Sequence, residues 1–308
     1  MTNKIVAIQG DHPSKLNPLT DTSIFLANEI QKKKYKIFYY NPKDISIIKT
    51  KVIAKGFFIK FDYSKKKFYK ILRKQKLNLL KCKFILIRQD PPFNLEYIST
   101  TYILDTIKNK VKIINNPTSI RNISEKFYSA KYQKFMPNTI FTQNISEIKN
   151  FFKKNKQVIL KPVHSFGGND IHLLSKFSFS LIKKFIKKHD FVMCQKYLPK
   201  IIKGDKRVFI INGKIAGAIS RIPKKGSFLS NMSKGGKAIN TNLTITEKKI
   251  SKKIAHDLIN ENIFLAGIDF IDQKLNGDIN VTSPTGLKTL YDLSKINLAK
   301  TFWKELKA

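Results

Sequence analysis

One change of pattern divides this chain. Up to residue 114, short apolar runs alternate with amphipathic stretches; after Asn115-Asn116-Pro117 they do not. Residues 4–9, 35–40, 82–88 and 111–114 read as strands, and residues 24–33 and 95–108 as helices. The helix at 24–33 follows the capping residues Thr20-Asp21-Thr22-Ser23. Strands alternating with helices pair in parallel through right-handed crossovers, and ligands of such sheets lie beyond the strands' carboxyl ends. Asp11, His12 and the loop Arg88-Gln89-Asp90-Pro91-Pro92-Phe93 fall there. Two adjacent prolines stop both ladder and helix, so that loop is rigid. Residues 51–63 read as a hairpin and residues 63–79 as a basic helix.

The second part alternates less regularly. Residues 117–122 and 124–135 read as helical, 138–142 as a strand, 146–154 as a helix and 157–161 as a strand. Residues 203–221 form an antiparallel hairpin through Asn212-Gly213. Residues 222–239 carry Gly and Ser without periodicity and read as a mobile loop or lid. An amphipathic helix follows at 246–262, and a last helical stretch at 294–306. The division predicted is an α/β domain at 1–122, with a parallel sheet, and a second domain at 123–308.

The formal charge of +38, from 59 Lys and Arg against 21 Asp and Glu, points first to nucleic acid or a membrane surface. The positive residues are almost all lysine, spread along the chain, in a sequence also rich in Asn and Ile. Specific readers of nucleic acid lean on arginine. The lysines therefore read as a solvated surface, with no specific nucleic-acid partner. No apolar run is long enough to span a bilayer, and none resembles a signal peptide. Cys82 and Cys194 sit apart in apolar runs, as buried thiols of a reducing cytoplasm do. In so lysine-biased a chain each arginine (Arg73, Arg88, Arg121, Arg207, Arg221) stands out, because lysine cannot supply its planar fork.

Four stretches bear on chemistry. Gly267-Ile268-Asp269-Phe270-Ile271 and Asp278-Ile279-Asn280-Val281 flank a turn predicted at Asn276-Gly277. Asp278 and Asn280 share a strand face, and closure brings Asp269 toward them. Such oxygen ligands suit magnesium held together with substrate phosphates; the alternative is a surface hairpin of solvated acids. Lys161 ends a strand, and Gly167-Gly168 after it offers backbone N–H groups to a phosphate or makes an ordinary turn. Gln195-Lys196-Tyr197-Leu198-Pro199 extends from a buried strand, either as an adenine-binding edge or as plain core. Asp205 and Arg207 share a face, with Arg221 on the facing strand. They either stabilise charge in phosphoryl transfer or form a surface ion pair. Ser-His-Asp ordering, C-x-x-C and H-E-x-x-H are all absent. His12 is a ligand contact or a solvated loop histidine. Catalysis by positioning and electrostatics needs no protein nucleophile.

Taken in order, these segments resemble the ATP-grasp ligases, and among them the bacterial glutathione synthetases. The resemblance runs over nearly the whole chain. It is carried by the Arg88–Phe93 loop with Thr101-Tyr102-Ile103-Leu104, Asn116-Pro117 with Glu125-Lys126, and Ile159-Leu160-Lys161-Pro162 with Gly167-Gly168. Gln195–Pro199, Gly204-Asp205-Lys206-Arg207-Val208, Arg221-Ile222-Pro223 and Asn280-Val281-Thr282-Ser283-Pro284-Thr285 complete it. It implies a preATP-grasp α/β domain followed by an ATP-grasp domain that holds nucleotide between two antiparallel sheets. Lys126, Lys161, Gly167 and Gly168 would meet the phosphates of ATP. Gln195, Lys196, Tyr197 and Leu198 would hold the adenine, and Asp205 would sit near the ribose. Asp269, Asp278 and Asn280 would bind Mg2+, with Mn2+ as the alternative.

The reaction implied phosphorylates γ-glutamylcysteine, then lets glycine attack the acyl phosphate, with Arg207 and Arg221 stabilising negative charge. Arg88, Asp90, Ser283 and Thr285 would lie near the dipeptide, and a homo-oligomer, typically a tetramer, is implied. Three positions depart from the pattern. Asp278 replaces a glutamate, Leu229 replaces a lid arginine, and Lys288 replaces an arginine. They leave the fold expectation intact and open two alternatives: a ligase for another acceptor, or a homologue that binds without turning over.

Overall fold

The computed structural model describes residues 4–63 and 65–308. Parallel pairing holds where the alternating pattern predicts it. Strands β1 (Ile5–Gln9), β2 (Lys36–Tyr40), β6 (Phe84–Ile87) and β7 (Lys112–Ile114) pair in parallel, with β1 between β2 and β6. Helix α1 (Thr22–Gln31), capped by Asp21 onto the Ile24 N–H at 2.7 Å, covers one face. Helices α2 (Leu95–Asp105) and α3 (Pro117–Asn122) belong to the other.

The sheet goes further than predicted. Strands β3 (Ile45–Ile48), β4 (Lys51–Phe61) and β5 (Tyr69–Asn78) extend it antiparallel beyond β2, to seven strands. Residues 63–79 are thus not a basic helix. Lys70, Arg73, Lys74 and Lys76 favour helix in isolation, but the ladder from Ile53↔Asn78 to Phe61↔Tyr69 fixes them as an edge strand. The expected hairpin at 51–63 is one long strand, with its returns on either side.

The remaining chain builds two antiparallel sheets. The four-stranded one has the order β10 (His172–Leu174), β9 (Val158–Pro162), β11 (Val192–Lys196), β8 (Thr139–Thr142). Helices α4 (Ile145–Asn155) and α5 (Phe179–His189) pack on it. The five-stranded sheet has the order β14 (Lys237–Asn240), β13 (Lys214–Ile222), β12 (Asp205–Ile211), β15 (Leu265–Ile271), β16 (Lys274–Asn280). Helix α6 (Ile245–Asn260) covers one face; α7 (Leu287–Ser294) and α8 (Leu298–Glu305) cover the other. The strand at 237–240 shortens the expected lid to residues 223–236.

A second correction concerns the turn before β16. Asn276-Gly277 lies inside the strand, and the chain reverses at Asp272-Gln273, both at positive φ. The ladder passes from Phe270↔Leu275 to Ile268↔Ile279, so Asp269 faces a three-residue bulge, Asn276-Gly277-Asp278. Gly277 has φ +86°, and a Cβ there would lie 2.2 Å from Met193 Cε. Glycine is needed for backbone conformation and for packing alike.

The two halves share one core. Val6, Ile8 and Leu26 pack with Phe209, Ile219, Leu290 and Phe302, and buried Trp303 donates from Nε1 to the Leu26 carbonyl at 2.8 Å. Asn115 stitches them again. Its Nδ2 donates to the carbonyls of Leu265 and Val281, and its Oδ1 accepts from the Phe264 and Leu265 N–H groups. All its hydrogen-bonding capacity is used. Asn115→Ala is expected to lower the unfolding free energy by about 3 kcal/mol, by stranding buried polar backbone. Denaturant titration checks this, and a loss under about 1 kcal/mol would contradict it. Among the described residues no helix is long and apolar enough to cross a membrane.

Candidate active site

Between the two antiparallel sheets opens a cleft of about 680 Å3. Its centre follows from register. Arg207 on β12 pairs directly with Asp269 on β15, and Asp205 on β12 with Arg221 on β13. Arg207 donates Nε to Asp269 Oδ1 at 2.8 Å and Nη2 to Oδ2 at 2.7 Å. Arg221 forks onto Asp205 in the same way, and its Nη2 also meets Asp269 Oδ2 at 3.0 Å. All four side chains are buried. The surface-pair alternative therefore fails: this is a desolvated, charge-balanced network.

A second group sits beside it. Asp278 lies 3.4 Å from Lys126 Nζ and 3.5 Å from Lys161 Nζ. Lys161 also donates to the Asn276 carbonyl and Oδ1, both at 2.8 Å, so the bulge residues hold it. Lys126 donates to the Ser165 carbonyl at 2.7 Å, where the glycine loop starts. Gly167 (φ +65°) and Gly168 (φ +76°) bring that loop under the lid; a Cβ on Gly168 would lie 2.5 Å from Asn231 Oδ1. Asn280 donates Nδ2 toward the Gly267 carbonyl at 3.3 Å and Asp269 Oδ2 at 3.5 Å.

Burial opposes ionisation of Asp278, but Lys126 and Lys161 hold its carboxyl below the usual aspartate range. Burial likewise works against Asp269, which Arg207 and Arg221 hold well below that range. Lys161 is lowered by burial, offset by Asp278.

The expected adenine edge is also on the cleft wall. Buried Gln195 donates to Thr139 Oγ1 at 2.9 Å, and Lys196, Tyr197 and Leu198 follow it. Asp90, Ser283 and Thr285 line the far end, and Ser283 Oγ donates to the Gln89 carbonyl at 2.8 Å. Of the expected site residues only Arg88 does not line the cleft, among the described residues. It lies buried behind the wall, donating to Ser23 Oγ and the Pro284 carbonyl.

Residues 5–121 match the prokaryotic glutathione synthetase N-terminal domain, and residues 125–295 the prokaryotic glutathione synthetase ATP-grasp domain. The chain belongs to the prokaryotic glutathione synthetase family. It is an ATP-grasp ligase with the glutathione synthetase activity of that family. It is 34% identical over 303 residues to the glutathione synthetase of Mesorhizobium japonicum, covering 97% of this chain and 96% of that one. The glutathione synthetase of Prochlorococcus marinus subsp. pastoris is 35% identical over 295 residues, covering 92% of each. In fold the chain is similar to the ATP-grasp ligase PsnB (TM-score 0.66, 10% identity, covering 100% of this chain and 99% of that one). It is also similar to D-alanyl-alanine synthetase A from Vibrio cholerae (TM-score 0.61, 16% identity, covering 100% of each).

Against the family pattern, the three departures separate in space. Leu229 and Asp278 line the cleft. Lys288 instead bonds to Asp292 and lies 5.6 Å from the Tyr63 ring centre. Sequence reasoning did not single out Lys15, Asn17, Thr20 and Asp21, which form the cleft's N-terminal wall. Asp21 reads only as a helix cap in sequence, and the fold alone brings that loop to the cleft. Glu125, next to Lys126, has a structural role that its sequence position does not show. Its Oε1 accepts from the Val281 and Thr282 N–H groups and from Thr282 Oγ1, fixing the chain after Asn280.

A depressed carboxyl stabilises the fold above its unfolded value, about 4. That contribution is lost as pH falls through the lowered folded value. Removing the Asp269 charge would leave two buried guanidiniums with one carboxylate, so Asp269→Asn should cost about 3–5 kcal/mol at neutral pH. It should also flatten the loss of stability below about pH 4. Denaturation midpoints across pH 3–7 check both, and a variant that loses stability on acidification as steeply as the parent would contradict the assignment.

Proposed function

We propose that this cleft joins glycine to γ-L-glutamyl-L-cysteine. The terminal phosphoryl group of ATP passes to an oxygen of the cysteinyl carboxylate, with ADP leaving. The glycine nitrogen then attacks the acyl carbon, phosphate leaves, and the amine loses a proton. The observation that carries this reading is the buried cluster of Lys126, Lys161, Arg207 and Arg221, paired with the carboxylates of Asp205, Asp269 and Asp278. It leaves net positive charge where phosphate must be held.

Lys126, Lys161 and the Gly167-Gly168 loop take the phosphates, Gln195 to Leu198 the adenine, and Asp205 the ribose side. Arg207 and Arg221 use Nε and Nη2 on carboxylates, so Nη1 of each is the group to face developing negative charge. Arg88 acts by holding Ser23 and Pro284 in the dipeptide wall, with Asp90, Ser283 and Thr285 at its surface. The lid at 223–236 closes over the intermediate and excludes water.

Two ionised carboxylates and an amide oxygen on adjacent strands suit a hard cation that needs few protein ligands because phosphate oxygens and water supply the rest. Asp269, Asp278 and Asn280 would hold magnesium, or manganese in its place. The ion would neutralise phosphate charge. PsnB, a neighbour in fold at 12% identity, was solved with Mg and ADP. A cytoplasmic tetramer divided near residues 122 and 123 completes the proposal. The second reading, a ligase for another acceptor, is favoured only by apolar Leu229 on the cleft wall.

ADP release tests the reaction. With ATP and magnesium present, it should require γ-glutamylcysteine and glycine together. Release with the dipeptide and a different amine would favour the second reading, and no release with any pair would contradict both. Arg221→Lys should lower kcat far more than it raises KM for ATP. A change confined to KM would place Arg221 in ground-state binding.

A further inference from the structure

A second cavity, of about 590 Å3, lies outside the ligase cleft, under the β4–β5 ribbon and beyond the carboxyl ends of β1 and β2. That is where open α/β sheets bind ligands, and its size falls within the roughly 300–1,000 Å3 of small-molecule sites. The floor is Tyr39 between two glycines. A Cβ on Gly10 would lie 2.6 Å from Tyr39 Oη, and one on Gly56 2.3 Å from the Tyr39 carbonyl. Phe57 pairs across the ladder with Tyr39 and stacks on it at 6.0 Å and 12°; the His12 ring meets Phe57 edge-on at 5.9 Å.

Three lysines against one aspartate give the walls net positive charge. Lys55 is directly opposite Lys76, and Phe57 directly opposite Lys74, so three lysines and a ring share one ribbon face. Like charges opposite each other destabilise a ladder. Among the described residues, no salt bridge to a carboxylate is found for any of the three. Asp44 is the one acidic side chain on the cavity wall, among the described residues. A cavity that pairs aromatic faces with an excess of ammonium groups is complementary to a flat ring bearing phosphate.

We propose that this cavity is a second nucleotide site, in which the phosphates of a nucleoside phosphate meet Lys55, Lys74 and Lys76 and its base lies against Phe57 and Tyr39. Lys74 and Lys76 belong to the basic stretch at 63–79, and the β4–β5 ladder brings Lys55 to them. Concavity favours a single nucleotide over a strand of nucleic acid. The site is separate from the ligase cleft, with which it shares no lining residue.

Calorimetric titration of the full-length protein with ADP tests this. The parent should bind two ADP per chain, and Lys74→Gln/Lys76→Gln one, with ligase turnover unchanged. Lys74→Arg/Lys76→Arg should restore the second. These side chains are exposed, and unchanged turnover reports an intact fold. One ADP per chain in the parent, or two in the glutamine variant, would overturn the proposal. Inorganic phosphate filling the second site as tightly as ADP would remove the role of the rings. A single-stranded oligonucleotide that binds there where ADP does not would replace the nucleotide with a strand.

Discussion

Asp269 is shared by two arginines, and the site is arranged around that sharing. The pairing is a consequence of register: β12 lies between β13 and β15, so Asp205 and Arg207 each face an opposite charge across one ladder step. Four charges would be costly to bury singly; as interlocked forks they satisfy one another. The network keeps Asp269 ionised and holds two guanidiniums still, at the point where a phosphorylated carboxylate would have to be stabilised.

The bulge in β16 is the second constraint. A regular hairpin closed at Asn276-Gly277 would put Asp278 just past the turn. The strand instead carries two extra residues opposite Asp269 and closes at Asp272-Gln273. Asn276 and Asp278 then both reach Lys161, while Glu125 pins the chain beyond Asn280. Asp278 is held within 3.5 Å of both lysines on this bulged backbone.

Much of this was legible in the residues. The parallel strands were marked by continuous apolar runs, and the site segments by scarce arginines, paired glycines and acids two apart. The errors have physical causes. The residues of β5 favour helix, and only pairing with β4 overrides them. Asn276-Gly277 suits a turn and a bulge equally, because both need positive φ. Residues 15–21 reach the cleft by tertiary packing, which leaves no local pattern. Lys74 and Lys76 stand in a basic stretch that reads as helix, and only the ladder brings Lys55 to the same face.

We propose that Asp269 and Asp278, kept ionised by their cations, join a divalent ion to ATP. ATP affinity measured with and without magnesium, in the parent and in Asp278→Asn, tests it most directly. Magnesium should tighten ATP binding to the parent by at least about tenfold, or about 1.4 kcal/mol. Most of that gain should be lost in the variant, with its affinity for metal-free ATP retained. An equal magnesium effect in both proteins would show that Asp278 does not hold the ion.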